Sequence, residues 1–377
     1  MTKRLRLVIA GGGTGGHVQP AIAVYQRLCA STSVDAFWLG SHSGMEQSAA
    51  NRSGIVFAAI QTGKFRRYLS LRTPIDLARI PVGIAQAFRA LQRFQPDVVL
   101  STGGFVSVPT IIAARLLHIP SLTHEQTATV GLATRINTRF ASVIALSFEQ
   151  SRSQLSTRRA RVIVTGNPIR SSLFDGSGAA ALQTFGLSPD LPLVYVTGGA
   201  LGAHAINEAV RNALRDLLAI SQVVHQCGAA SGNGDFPRLL DARAHLPVER
   251  QNRYIVRERI GDELPDLYAA ASLVVGRAGA GTVAELAALG KPSILIPLPG
   301  TGGDEQTVNA RVLAEAGGAI LLPQSELSPT RLVTEIQGLL ESDRLAEMGE
   351  AALTCGQRDA DERLAKEILE LAHIPCP

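Results

Sequence analysis

Leu5-Arg6-Leu7-Val8-Ile9-Ala10-Gly11-Gly12-Gly13-Thr14-Gly15-Gly16-His17 decides the fold. The apolar half reads as a buried strand, and five of the seven residues from Gly11 to His17 are glycines, ahead of a helix expected to open around Pro20. A buried strand that feeds a glycine turn and then a helix is the first unit of a doubly wound sheet. In such a turn the backbone N–H groups can approach a bulky anion at the positive end of the helix, and this one ends in a titratable ring.

Gly11, Gly13 and Gly16 also satisfy G-x-G-x-x-G, the pattern of a dinucleotide site. That reading requires an acidic residue at the carboxyl end of the second strand. The strand is expected over Ala36–Gly40, with Asp35 before it and Ser41 after it, so the ribose carboxylate of an NAD enzyme is missing.

Outward from this turn, compact apolar runs recur at Leu7–Ala10, Ala36–Gly40, Val98–Ser101, Ser121–His124 and Val143–Ser147. A second series follows at Leu193–Thr197, Val223–Gln226, Leu273–Gly276, Ser293–Pro297 and Ala319–Leu322, its first strand followed by Gly198-Gly199-Ala200-Leu201-Gly202. Alternation of such runs with helices predicts an α/β chain of two doubly wound, Rossmann-like parallel-sheet domains. The length of 377 residues, with 46% apolar and 18% charged content, is enough for two cores. The expected domains are 1–170 and 171–345, facing a cleft, with a C-terminal helix over 346–377 packing back on the first domain.

Composition excludes several classes. The four cysteines, Cys29, Cys227, Cys355 and Cys376, form no C-x-x-C pair, so neither a disulfide framework nor a zinc site is expected. His118 and His124 lack ligand spacing, Asp359 and Asp361 read as solvated helix surface, and no metal or cofactor is expected. A net charge of +4 with 5% aromatic residues offers no platform for nucleic acid. The apolar run after Lys3, Arg4 and Arg6 is too short for a signal-peptide core, and Val98–Ala114 is broken by glycines and Pro109, so a soluble, cytoplasmic chain is expected. Between residues 64 and 93, however, Lys64, Arg66, Arg67, Arg72, Arg79, Arg89 and Arg93 face one acid, Asp76, and alternate with apolar residues. That pattern suits either a solvated basic helix or the headgroup region of an anionic membrane.

Three constellations bear on chemistry. His17, at a helix start where the macrodipole favours a neutral imidazole, is placed to accept a proton. Thr282 and Glu285 in Gly279-Ala280-Gly281-Thr282-Val283-Ala284-Glu285 fit a capping box, and the same segment offers N–H groups for a diphosphate and a carboxylate for a ribose diol. Asp304, Glu305 and Gln306 either cap a helix or bond sugar hydroxyls.

With these residues in place the chain resembles the MurG family of N-acetylglucosaminyltransferases, which convert lipid I into lipid II. The resemblance rests on Gly12 to His17, Pro96-Asp97-Val98-Val99 with Gly103-Gly104-Phe105, His124-Glu125-Gln126, Gly166-Asn167-Pro168-Ile169-Arg170, and Gly279 to Glu285 with Gln306 and Asn309. It implies a GT-B fold, inverting and metal-independent transfer of GlcNAc from UDP-GlcNAc to the MurNAc 4-hydroxyl of lipid I, and a peripheral position on the inner face of the cell membrane. The matched positions imply His17 or Glu125 as base. Thr14, Gly15, Gly16 and Arg170 would lie near the donor, Ile260 at uracil, Ala280, Gly281 and Thr282 around the nucleotide, Glu285 at the ribose and Gln306 at GlcNAc. Two positions depart from the family: Thr127 stands for the usual Asn and Ala200 for the usual Ser, each forfeiting a neutral hydrogen bond worth about 0.5–1.5 kcal/mol. The alternatives are a transferase acting on another lipid such as diacylglycerol, and a nucleotide-sugar-binding module without catalysis.

Overall fold

The computed structural model describes residues 4–13, 15–42, 44–63, 73–157, 159–229, 234–300 and 304–375. Thr14 and residues 64–72, including Lys64, Arg66, Arg67 and Arg72, lie outside the described residues. The chain divides into two compact units, 1–170 with 357–377, and 171–356.

The first unit is built on a seven-stranded parallel sheet: β1 (Leu5–Gly11), β2 (Val34–Gly40), β3 (Val56–Ala59), β4 (Val98–Gly103), β5 (Ser121–Glu125), β6 (Val143–Leu146) and β7 (Arg161–Val164), in the order β3-β2-β1-β4-β5-β6-β7. β1 shows why its residues form this element. Leu5, Leu7 and Ile9 pack into one apolar cluster and Val8 and Ala10 into another, so both faces are buried, as a sheet covered by helices on each side requires. The buried Trp38 donates its indole N–H to the Gly11 carbonyl at 2.9 Å, tying the end of β1 to β2. Chain order reverses between β1 and β4, which opens a crevice at their carboxyl ends.

The second unit repeats the plan with β8 (Leu193–Thr197), β9 (Gln222–Gln226), β10 (Tyr254–Arg257), β11 (Leu273–Gly276), β12 (Ser293–Leu295) and β13 (Ala319–Leu321), ordered β10-β9-β8-β11-β12-β13 and all parallel. Its reversal falls between β8 and β11, each followed by a glycine turn.

The segment from 346 is not one helix. Arg344–Cys355 packs on the Ala280–Leu289 helix of the second unit, and Ala360–Leu371 packs on the Gly15–Ser31 helix of the first. Leu364, Ala365, Ile368 and Leu369 enter the core of the first unit, Arg27 and Glu362 pair at its surface, and Arg161 pairs with the buried Glu367. Asp359 sits at the N-cap position of this second helix, where its side chain bonds no backbone N–H and accepts from Arg363 at 2.9 Å. Asp361 is half-buried, and burial pushes its carboxyl above the usual range, so the pair is only partly the solvated surface expected. Among the described residues no helix is long and apolar enough to cross a membrane.

Candidate active site

In the first unit the Gly15–Ser31 helix opens five residues earlier than expected, with Pro20 inside it. Gly15, Gly16 and His17 are therefore its first turn, where backbone N–H groups have no intrahelical acceptor. His17 is half-buried, over Gly103 at the end of β4. Gly103 has φ +89°, and a Cβ there would lie 3.0 Å from the imidazole, so only glycine leaves the ring its place.

The His17 ring meets Gln126, whose Oε1 is 3.1 Å from Nδ1. Gln126 and His124 are buried, and Gln126 Nε2 lies 2.8 Å from the Thr102 carbonyl, 3.1 Å from the His124 carbonyl and 3.1 Å from His124 Nδ1. His124 Nε2 in turn meets the Gly166 carbonyl at 3.0 Å and the Ser147 hydroxyl at 3.3 Å. Burial pushes the His124 imidazole down to about 4, against the opposing pull of the Gly166 carbonyl, so it is neutral.

Glu125, the other candidate base, points elsewhere. It is buried, and its carboxylate accepts from the Thr127 hydroxyl (2.9 Å), the Thr127 N–H (3.3 Å) and the Gly131 N–H (2.9 Å). The Thr127 hydroxyl also lies 2.5 Å from the Thr129 carbonyl, so that side chain, too, is spent on holding the 125–131 loop. Arg170, where the chain leaves the first unit for the second, is partly exposed.

In the second unit the groups stand after β8 and β11. The turn after β8 is fixed by the Thr197 hydroxyl, which accepts from the Gly199 N–H at 3.1 Å, and Ala200 is exposed at its crest. The capping box is not formed. The helix starts at Ala280 with Gly279 as its N-cap and no side-chain cap, so Ala280, Gly281 and Thr282 form an open first turn with unpaired N–H groups. Glu285 lies one turn inside the helix, where its Oε2 accepts from the Tyr268 hydroxyl at 2.9 Å. Gln306 sits at the start of the Glu305–Glu315 helix and accepts the Leu298 N–H on Oε1 at 3.0 Å, which turns its NH2 into the remaining donor. Asp304 occupies the N-cap position without capping a backbone N–H with its side chain; its carboxylate accepts from the Thr307 hydroxyl at 2.8 Å instead. The Ile260 N–H is engaged by Gln226 Oε1 at 3.0 Å.

The models for the glycosyltransferase family 28 N-terminal domain and C-terminal domain match residues 7–146 and 193–364. A Treponema pallidum (strain Nichols) protein named UDP-N-acetylglucosamine--N-acetylmuramyl-(pentapeptide) pyrophosphoryl-undecaprenol N-acetylglucosamine transferase is 38% identical over 366 residues, 96% of this chain and 94% of that protein. The chain belongs to the MurG family. The crystal structure of Acinetobacter baumannii MurG is 30% identical, covers 97% of this chain and 99% of its own, and superposes with a TM-score of 0.73. The calicheamicin glycosyltransferase CalG4, at 15% identity and a TM-score of 0.67 over 100% of both chains, shares the fold. Membership of the MurG family makes the chain a glycosyltransferase with the two Rossmann-like domains of the GT-B type.

Sequence reading missed two features around the MurG-type motifs. Glu46, buried, accepts from the Ser41 N–H (2.8 Å), the Ser41 hydroxyl (2.6 Å) and the Gly13 N–H (3.1 Å). Burial alone would raise its carboxyl, but the bonds from Ser41 and Gly13 outweigh it and hold the group below the usual carboxylate range. A Cβ on Gly12 would lie 2.4 Å from that carboxylate, so Glu46 moulds the glycine turn. An acid six residues past a strand end was the available signal. The second is a cluster of His204, Glu208 and Asp235, each already engaged: His204 Nδ1 with Asp235 (2.7 Å), Glu208 with Arg211 (2.8 Å), and Asp235 also with Asn207 (2.7 Å).

Proposed function

We propose that this chain transfers GlcNAc from UDP-GlcNAc to the MurNAc 4-hydroxyl of lipid I, giving lipid II with inversion at the anomeric carbon. The observation that carries the reading is the 38% identity, over 96% of the chain, to a protein of that named activity. The geometry supplies a chemical route. The acceptor oxygen attacks C1 of GlcNAc, its proton passes to Nε2 of His17, and the bond from C1 to the β-phosphate oxygen breaks. Nδ1 is turned toward Gln126, so Nε2 is the ring nitrogen available to the acceptor. Glu125 is the weaker base because three donors already occupy its carboxylate.

UDP leaves with growing negative charge. Arg170, the open first turn of the Ala280–Leu289 helix and the turn after β8 are the groups we assign to meet it, fixed dipoles that need no reorganisation. Glu285 is assigned to the ribose and the Gln306 amide to GlcNAc. Ala200 leaves the diphosphate to backbone N–H groups, and the buried Thr127 contributes to the donor side only through the loop it braces. Exposed Arg79, Arg89 and Arg93 on the Thr73–Phe94 helix support a peripheral position on the anionic cytoplasmic face of the membrane.

The test is UDP release from UDP-GlcNAc with a short-chain lipid I analogue, beside diacylglycerol as acceptor. Turnover with the lipid I analogue, unaffected by EDTA and raised in KM for UDP-GlcNAc by Glu285→Ala, is expected. Turnover with diacylglycerol alone, or activity lost in EDTA and restored by Mg²⁺, would sink the assignment.

A further inference from the structure

We propose that Gln126 is a positioning residue that locks His17 in its Nδ1–H tautomer and so leaves the Nε2 lone pair free for the acceptor's proton. The inference rests on His17 being the base. It follows from counting hydrogens along a buried chain of polar groups. The Gln126 amide is fixed by what surrounds it: one end faces the Thr102 carbonyl at 2.8 Å and the His124 carbonyl at 3.1 Å, both of which only accept. That end must be the NH2, since a carbonyl there would put two oxygens against a third with no hydrogen between them. The other end is therefore the carbonyl oxygen, 3.1 Å from His17 Nδ1. A carbonyl cannot donate, so the hydrogen in this bond belongs to His17 Nδ1.

The far end of the chain agrees. The Gly166 carbonyl, 3.0 Å from His124 Nε2, requires the hydrogen of His124 on Nε2, which leaves His124 Nδ1 as an acceptor for the Gln126 NH2 at 3.1 Å. Ser147, whose hydroxyl donates to the Glu125 carbonyl at 2.9 Å, is free to receive the same Nε2–H. The Gln126 NH2 shares its two hydrogens among the Thr102 carbonyl, the His124 carbonyl and His124 Nδ1, and only the Nδ1–H tautomer of His17 puts a hydrogen in the bond to Gln126 Oε1. A neutral imidazole in water favours the hydrogen on Nε2, the arrangement that would leave a base with no lone pair at the reacting position. Gln126 reverses that preference. Because it is an amide, it does so without placing a buried anion beside the ring, as the carboxylate of a Ser-His-Asp triad would.

The experiment is ¹⁵N NMR of protein labelled at histidine, with His17 assigned among the eight histidines by the His17→Gln variant. It is run on wild type, Gln126→Met and Gln126→Glu, with kcat and KM measured for UDP-GlcNAc and a short-chain lipid I analogue. In the neutral form, wild type and Gln126→Glu, which keeps an acceptor at that position, show the hydrogen of His17 on Nδ1. Gln126→Met moves it toward Nε2 and loses about 10- to 100-fold in kcat with KM for UDP-GlcNAc within about threefold. Wild-type His17 carrying its hydrogen on Nε2 overturns the proposal without any variant, as does a Gln126→Met spectrum unchanged at His17. A tautomer that shifts while kcat holds leaves the positioning established and removes His17 as the base.

Discussion

Glu46 illustrates how one buried carboxylate can fix the shape of a glycine turn. Its carboxylate takes three donors from Ser41 and Gly13 and fills the space that a side chain on Gly12 would need. Gly12→Ala should therefore displace the turn that delivers His17 and lower kcat by at least about tenfold, with UDP-GlcNAc affinity changed much less. Steady-state kinetics beside calorimetric binding checks this, and an unchanged kcat would contradict it. Glu46→Gln leaves a buried donor where an acceptor is needed and should cost about 1–3 kcal/mol in urea unfolding. The wild-type contribution belongs to the ionised form, since the folded carboxyl lies below its unfolded value. It is complete above the unfolded pKa and is lost as pH falls through the folded one, so the gap between wild type and Glu46→Gln should narrow on acidification.

At the scale of elements, the ten strands read from apolar runs are present, and the three that were not read share a position. β3, β7 and β10 are sheet edges whose residues are mostly half-buried or exposed; their apolar runs, Ile55–Ile60, Val162–Val164 and Tyr254–Val256, were there to be read, but partial burial at an edge leaves them less distinct from their polar surroundings than a central strand. Central strands such as β1 are legible because both their faces are buried. Helix starts were less legible: glycines at 15 and 279 begin or cap helices in places where propensity alone predicts a loop. The glycine turns, His17 and Glu285 were visible as residue types, but the Gln126 and Glu46 contacts join residues 109 and 33 positions apart and leave no local pattern. The Ala360–Leu371 helix adds a consequence of its own. Leu364 is fully buried in the core of the first unit although it follows the second unit in sequence. Leu364→Ala should destabilise the first unit by about 2–5 kcal/mol, seen as faster amide exchange in β1 and β4 with β8 and β11 unchanged. Uniform acceleration in both units would contradict this.

The whole molecule uses one construction twice: in each unit the fourth strand returns to the free side of the first, and the polar groups stand at that switch point. Each also buries a neutral histidine, His124 held down to about 4 and His225 to about 3 by burial. Unfolded histidines titrate near 6.5, so below that pH the unfolded chain binds more protons and stability falls with acidification. The loss should reach roughly 1.4 kcal/mol per pH unit for each histidine between its folded and unfolded values. Urea midpoints from pH 7 to 5 check this, with the slope reduced in His225→Gln. We propose that His17 performs the chemistry while the second unit holds the donor. The most direct measurement is UDP release by wild type and His17→Ala with UDP-GlcNAc and a short-chain lipid I analogue, beside calorimetric UDP-GlcNAc binding. Turnover should fall by about 10²-fold or more in the variant with donor affinity within about threefold; turnover retained in His17→Ala would contradict a base role for His17.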